Sequence, residues 1–162
     1  MLKLFEYNWQ VRKDWFEWCR DVSQEELLKK RIGGVGGILH TLFHVADVEY
    51  SWICGLQGKP DFTEPFESYA SLEQVIELSD RFREEVRSFV TNWTDDMEMK
   101  VLSDVHPNGE PINFKYGEIM RHVIAHEIHH IGQLSVWSRE LGKVPVTANF
   151  IRRGLFGQAR EV

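Results

Sequence analysis

The chain has 162 residues, 43% of them hydrophobic, which suits one globular domain burying its own core and excludes a disordered or membrane-embedded polypeptide. Nineteen Lys and Arg against 25 Asp and Glu leave a formal charge of −6, without the basic face that duplex phosphate or an anionic bilayer demands, so neither nucleic acid nor membrane is an expected partner. The opening Met-Leu-Lys-Leu-Phe-Glu-Tyr lacks the apolar run of a signal peptide, and two cysteines, Cys19 and Cys54, are too few for a disulfide framework. A reducing cytoplasm is the expected location, with both thiols acting as small buried hydrophobes.

The first helix is expected from about Lys3 to Arg20, its apolar positions crowded enough to demand a wide buried face. Ser23-Gln-Glu-Glu26 has the form of a capping box and opens a short helical turn anchored by Leu27 and Leu28. Gly33-Gly-Val-Gly-Gly37 follows as a loop. No strand precedes it and no Gly-Lys-Ser/Thr follows, so it reads as flexible entry or close helix packing rather than a phosphate cradle. A second helix is expected from about Val35 to Gly55, stopped by Gly55, Gly58 and Pro60. After a long connection, Ser71-Leu-Glu-Gln74 caps a third helix that continues to about Trp93. Helix signals then vanish. His106-Pro-Asn-Gly109 marks a turn, and a short hairpin between Met99–Asp104 and Pro111–Phe114 fits the weak alternation there. A fourth helix is expected from about Lys115 to Leu141, closed by Gly142 and Pro145, with a short helix in the tail after Val146. Four amphipathic helices with two long connections give an all-α four-helix bundle in which simple up-down order is not assured.

The chemistry concentrates on the fourth helix, which reads Arg121-His-Val-Ile-Ala-His-Glu-Ile-His-His-Ile-Gly-Gln133. At about 100° per residue, His122, His126, His129, His130 and Gln133 share roughly 100° of arc, together with apolar neighbours such as Ile119 and Trp137. That company turns the arc inward. Unpaired buried polar nitrogens cost roughly 1–3 kcal/mol each, and a metal satisfies several at once. His126 and His130 stand one helical turn apart, the spacing at which two imidazoles reach one ion. The second helix offers His40 and His44, again four apart, as sources of a third ligand.

His126-Glu-Ile-His-His130 also fits the His-Glu-x-x-His pattern of zinc proteases, whose Glu is a general base. The metzincin continuation fails, because Gln133 and Val136 stand where Gly and His are required. Of the downstream glutamates, Glu140 is too near to act as the further ligand and only Glu161 remains, and no substrate-binding sheet is in view. Glu127 lies about 100° from His126, beside the ligand face, where a solvated or flanking residue is expected.

Taken together, His44-Val-Ala-Asp-Val-Glu49 and His126-Glu-Ile-His-His-Ile-Gly-Gln133 resemble the DinB/YfiT-like family. Phe5-Glu-Tyr-Asn8, Leu134-Ser-Val-Trp-Ser-Arg-Glu-Leu-Gly142 and Ala148-Asn-Phe-Ile151 extend the resemblance over nearly the whole chain. It implies a single DinB-like domain over residues 1–162, a bundle in up-down-down-up order, and a metal triad that falls on His44, His126 and His130. It also implies a homodimer and, from relatives of known chemistry, a low-molecular-weight thiol as co-substrate. Ile131 stands where the family often has Arg, which weakens any role assigned to a positive charge there and leaves the ligands intact. Three neutral histidines leave coordination positions open on zinc or nickel. The expected function is therefore a metal-dependent enzyme of thiol S-transferase or hydrolase type acting on a small molecule, with Gln133 and His129 orienting ligands from outside the triad. The alternatives are a non-catalytic metal-binding stress-response protein and, last, a zinc protease.

Overall fold

A computed structural model describes residues 1–105 and 108–157. In chain order the elements are α1 (Leu2–Cys19), α2 (Gln24–Leu28), α3 (Ile38–Gln57), α4 (Leu72–Thr91), β1 (Val101–Val105), β2 (Pro111–Lys115) and α5 (Tyr116–Glu140). Among the described residues the protein is thus mostly helical, with five α-helices and a small two-stranded sheet, and the all-α expectation is corrected at the sheet, which forms where the short hairpin is expected. Leu102 and Phe114 pair across the antiparallel strands and press inward, while Val101 and Val105 stay exposed. One apolar pair facing the helices is enough to dock the hairpin. The expected turn falls partly on residues 106 and 107, which with Glu161 lie outside the described residues.

Local chemistry sets most helix ends. Ser71 and Gln74 form the reciprocal capping box at the start of α4. Gly58, in the left-handed region at φ 64°, closes α3 by donating to the carbonyls of Cys54 and Gly55. The start of α3 falls three residues later than expected, because Gly33, Gly34 and Gly36 adopt positive φ and hold the chain in a loop. The helix expected in the tail does not form among the described residues. Arg152, Gly154 and Gly157 all take positive φ there, and the segment is instead held against α1, with Tyr7 Oη donating to the Ala148 carbonyl at 2.7 Å and Arg153 pairing with Asp14 at 3.0 Å.

The four long helices meet in two apolar clusters. One joins Val11 to Cys19 of α1, Ile38 to Ala46 of α3, Leu72 to Phe82 of α4 and Ile131 to Trp137 of α5. The other joins Phe5 and Trp9, Ile53 and Leu56, Val86 and Val90, and Ile119 to Ile124. The first half of α1 therefore meets the first half of α5 and the second halves of α3 and α4, so α1 and α5 run one way and α3 and α4 the other. Between the clusters lies a polar layer of Arg12, Glu49 and Glu127, each no more than 2% exposed. Cys19 and Cys54 are buried free thiols, as expected. Among the described residues no helix is long and apolar enough to cross a membrane.

Candidate metal centre

α3 packs against both α4 and α5, and fully buried Ala46 presents little bulk between the helices. This packing brings His44 of α3 to the pair on α5. His126 Nε2 lies 3.2 Å from His44 Nε2 and 3.1 Å from His130 Nε2. The three ring centroids stand 4.5 to 4.9 Å apart. His44 and His126 are half-buried and His130 is buried.

The tautomer of His130 follows from its neighbour. Gln133, one turn on, accepts from His130 Nδ1–H at 2.8 Å and donates its amide to His129 Nε2 at 3.0 Å. With its hydrogen on Nδ1, His130 turns a lone pair toward the other two rings. Burial then keeps the cluster neutral. Desolvation, followed by repulsion from His130, pushes His44 down to about 4. Desolvation and the surrounding histidines, His130 first, push His126 down to about 4. His130 is lowered by desolvation, partly offset by its bond to Gln133. Basic nitrogens that face one another without taking up protons are stabilised by a shared cation. The spacing fits one: two nitrogens about 2.0–2.1 Å from a tetrahedral ion lie about 3.3 Å apart, close to the separations found.

Two further histidines of these helices have aromatic partners outside the triad. His40 stacks on Phe66 at 4.3 Å between centroids, and His122 sits edge-on to Trp52 at 5.8 Å. Of the two candidates on α3, the structure brings His44 to the pair and leaves His40 aside. Among the described residues, His44, His126 and His130 are the group whose donor atoms lie within 4.8 Å of one another.

Glu127 is neither solvated nor free, which corrects the expectation for it. Its carboxylate accepts from Arg12 Nε at 2.8 Å and Nη2 at 2.6 Å. A general base needs an accessible lone pair beside the reacting water; both oxygens of Glu127 are committed to a guanidinium inside the core. On the other side, Arg12 Nη1 donates to Glu49 Oε1 at 3.1 Å, and Trp9 Nε1 donates to both Glu49 oxygens at 3.2 and 3.0 Å. Desolvation lifts Glu49 to about 7 against the pull of Arg12. Sequence reasoning missed Arg12 and Glu49. Their signal was present: Arg12 continues the stripe Phe5, Trp9, Trp15, Phe16, and Glu49 the stripe Leu42, Ala46, Ile53, Leu56.

Fold and site together define a class: mostly helical proteins with three histidines from two helices converging through Nε2. The chain matches the DinB family over residues 1–155, and it belongs to that family. It is similar to the uncharacterized protein YizA of Bacillus subtilis (strain 168), with 51% identity over 155 residues, covering 96% of each chain.

Proposed function

We propose that the protein binds one divalent transition metal, zinc or nickel, through His44, His126 and His130, and uses it as an enzyme of thiol S-transferase or hydrolase type on a small-molecule substrate. The observation that carries the metal reading is the approach of the three Nε2 atoms to 3.1 and 3.2 Å, with Gln133 fixing the tautomer of His130. Bound there, the ion would supply Lewis acidity and lower the pKa of a coordinated water or thiol. His129 and Gln133 would orient the triad and exclude the wrong tautomer.

Two features favour catalysis over the alternative of a non-catalytic metal-binding stress-response protein. A structural ion is closed by a fourth protein ligand, and the further imidazoles His40 and His122 are turned to Phe66 and Trp52. His44 and His126 also keep partial exposure, which leaves a route for substrate. The parallel α1 and α5, with α3 and α4 opposed, support a single-domain four-helix bundle in up-down-down-up order. A cytoplasmic homodimer completes the reading.

The test is metal analysis of protein purified without metal-affinity chromatography, then a thiol-transfer assay with a panel of electrophiles, before and after chelation. One equivalent of metal and chelator-sensitive transfer are expected. Absence of bound metal after zinc or nickel reconstitution would refute the site. Full metal with no turnover across the panel would favour the non-catalytic alternative. Sedimentation at roughly 50 µM, well above a micromolar dissociation constant, should show a dimer.

A further inference from the structure

We infer that Glu49 is a charge-balancing residue for the histidine triad: its buried carboxylate provides the negative charge that the three neutral ligands do not, and so sets how tightly a divalent ion is held. The inference rests on the metal reading above.

The polar layer carries one carboxylate more than its pairing requires. Arg12 has a single charge, and Glu127 already meets it through two donors, Nε at 2.8 Å and Nη2 at 2.6 Å. Glu49 is a second carboxylate at 1% exposure. A buried charge with no counter-charge of its own is expensive, and an apolar side chain of similar size is the more stable choice when only packing matters. Yet the surroundings are built for the ionised form. Trp9 Nε1 and Arg12 Nη1 are groups that can only donate, and both are directed at Glu49. Desolvation opposes that charge, lifting Glu49 to about 7, so it is retained against a cost that packing does not explain.

The missing counter-charge is in reach. Glu49 lies five residues beyond His44 on α3, about 7.5 Å along the helix axis, and Glu127 directly follows His126 on α5. Three imidazoles bring no charge to a divalent ion, so the loaded site holds an uncompensated double positive charge in a half-buried position. For a separation on the order of 10 Å, the scale set by that axial rise and the reach of the side chains, one net negative charge at an effective dielectric constant of about 20 or somewhat higher changes affinity on the order of tenfold to a hundredfold. The effect follows ionic charge and not ligand softness, so zinc and nickel feel it alike.

Two substitutions separate charge from shape. Glu49→Gln keeps the side-chain length and one acceptor oxygen but loses the charge; Glu49→Asp keeps the charge and loses reach. Affinities for zinc alone and nickel alone are measured by competition with a chromophoric chelator, and thermal unfolding is followed on the chelated protein. The expected result is a roughly tenfold to hundredfold weaker dissociation constant for both ions in Glu49→Gln, near wild-type affinity in Glu49→Asp, and the opposite order in apo stability, with Asp the less stable. Equal affinity in wild type and Glu49→Gln overturns the charge-balancing role while leaving the triad intact. Asp weakening binding more than Gln also overturns it, because that order marks a role in shape. No zinc or nickel binding by the wild type overturns the triad reading and this inference with it.

Discussion

Replacing Arg12 with Met removes the one cation of the polar layer while keeping an unbranched side chain of similar reach. The structure allows the consequence to be sized. Arg12 makes three donor contacts to two carboxylates, at 2.6, 2.8 and 3.1 Å, and all three partners are at most 2% exposed. Removing one member of a buried ion pair costs about 3–5 kcal/mol, chiefly because a charge is left unmet. Against a typical total of about 5–15 kcal/mol this is a large fraction, and for a domain of this size it lowers the melting temperature by roughly 10–15 °C. The loss should also depend on pH. Arg12 is what pulls Glu49 down against desolvation; without it Glu49 titrates higher still, further above its unfolded value. An acid raised in the folded state takes up protons on folding, so the deficit is full at alkaline pH and shrinks as pH falls toward 5. Urea unfolding of chelated wild type and Arg12→Met at pH 8 and pH 5.5 checks both points. A loss below about 1 kcal/mol at pH 8, or one equal at the two pH values, would show that Arg12 is not neutralising a buried charge.

Other outcomes follow from the site itself. His44→Ala, His126→Ala and His130→Ala should each weaken metal binding by more than the ~10–100-fold typical of losing an outer-shell partner, whereas His40→Ala should have little effect; inductively coupled plasma analysis after reconstitution would decide it. Gly34→Asn should weaken metal binding by displacing Gln133, because Gly34 sits at φ 50° and a Cβ there collides with the Gln133 carboxamide. A chelator competition showing wild-type affinity would refute that coupling. The chelated protein should lose stability as pH falls from about 6.5 toward 4. His44 and His126 are lowered to about 4 in the folded state, so the unfolded chain binds more protons in that window. The contribution is fully present above pH 6.5, and melting curves of His44→Phe against wild type should converge on acidification.

Much of this was legible because periodicity is local. The four long helices and the Ser71–Gln74 cap are encoded within a few turns of chain, whereas the arc expected to face inward on α5 is only partly right: His122 and His129 are exposed, His126 lies at its edge, and the buried face runs through Glu127, His130 and Leu134. The choice of His44 over His40 is different in kind: both sit on one face of α3, and what separates them is how far along α5 that helix packs. The same holds for Glu127. Its angle from His126 was read correctly, but its burial depends on Arg12, 115 residues away. A charged residue at a stripe position is ambiguous until its partner is known, since alone it would argue against burial. The short hairpin was read through its turn, whereas the tail's order comes from tertiary bonds to α1 that no local pattern announces.

The polar layer also acts as a ruler. Apolar clusters on either side are forgiving about vertical position, since one leucine can trade places with another at little cost. Arg12, Glu49 and Glu127 cannot: sliding α1 by one turn, about 5.4 Å, would strand three charges at once. Because His126 directly precedes Glu127 and His44 shares a helix with Glu49, the same setting that aligns the charges brings the imidazoles level. Drift and repacking in the two apolar ends can therefore proceed independently, so long as the crossing between them is kept.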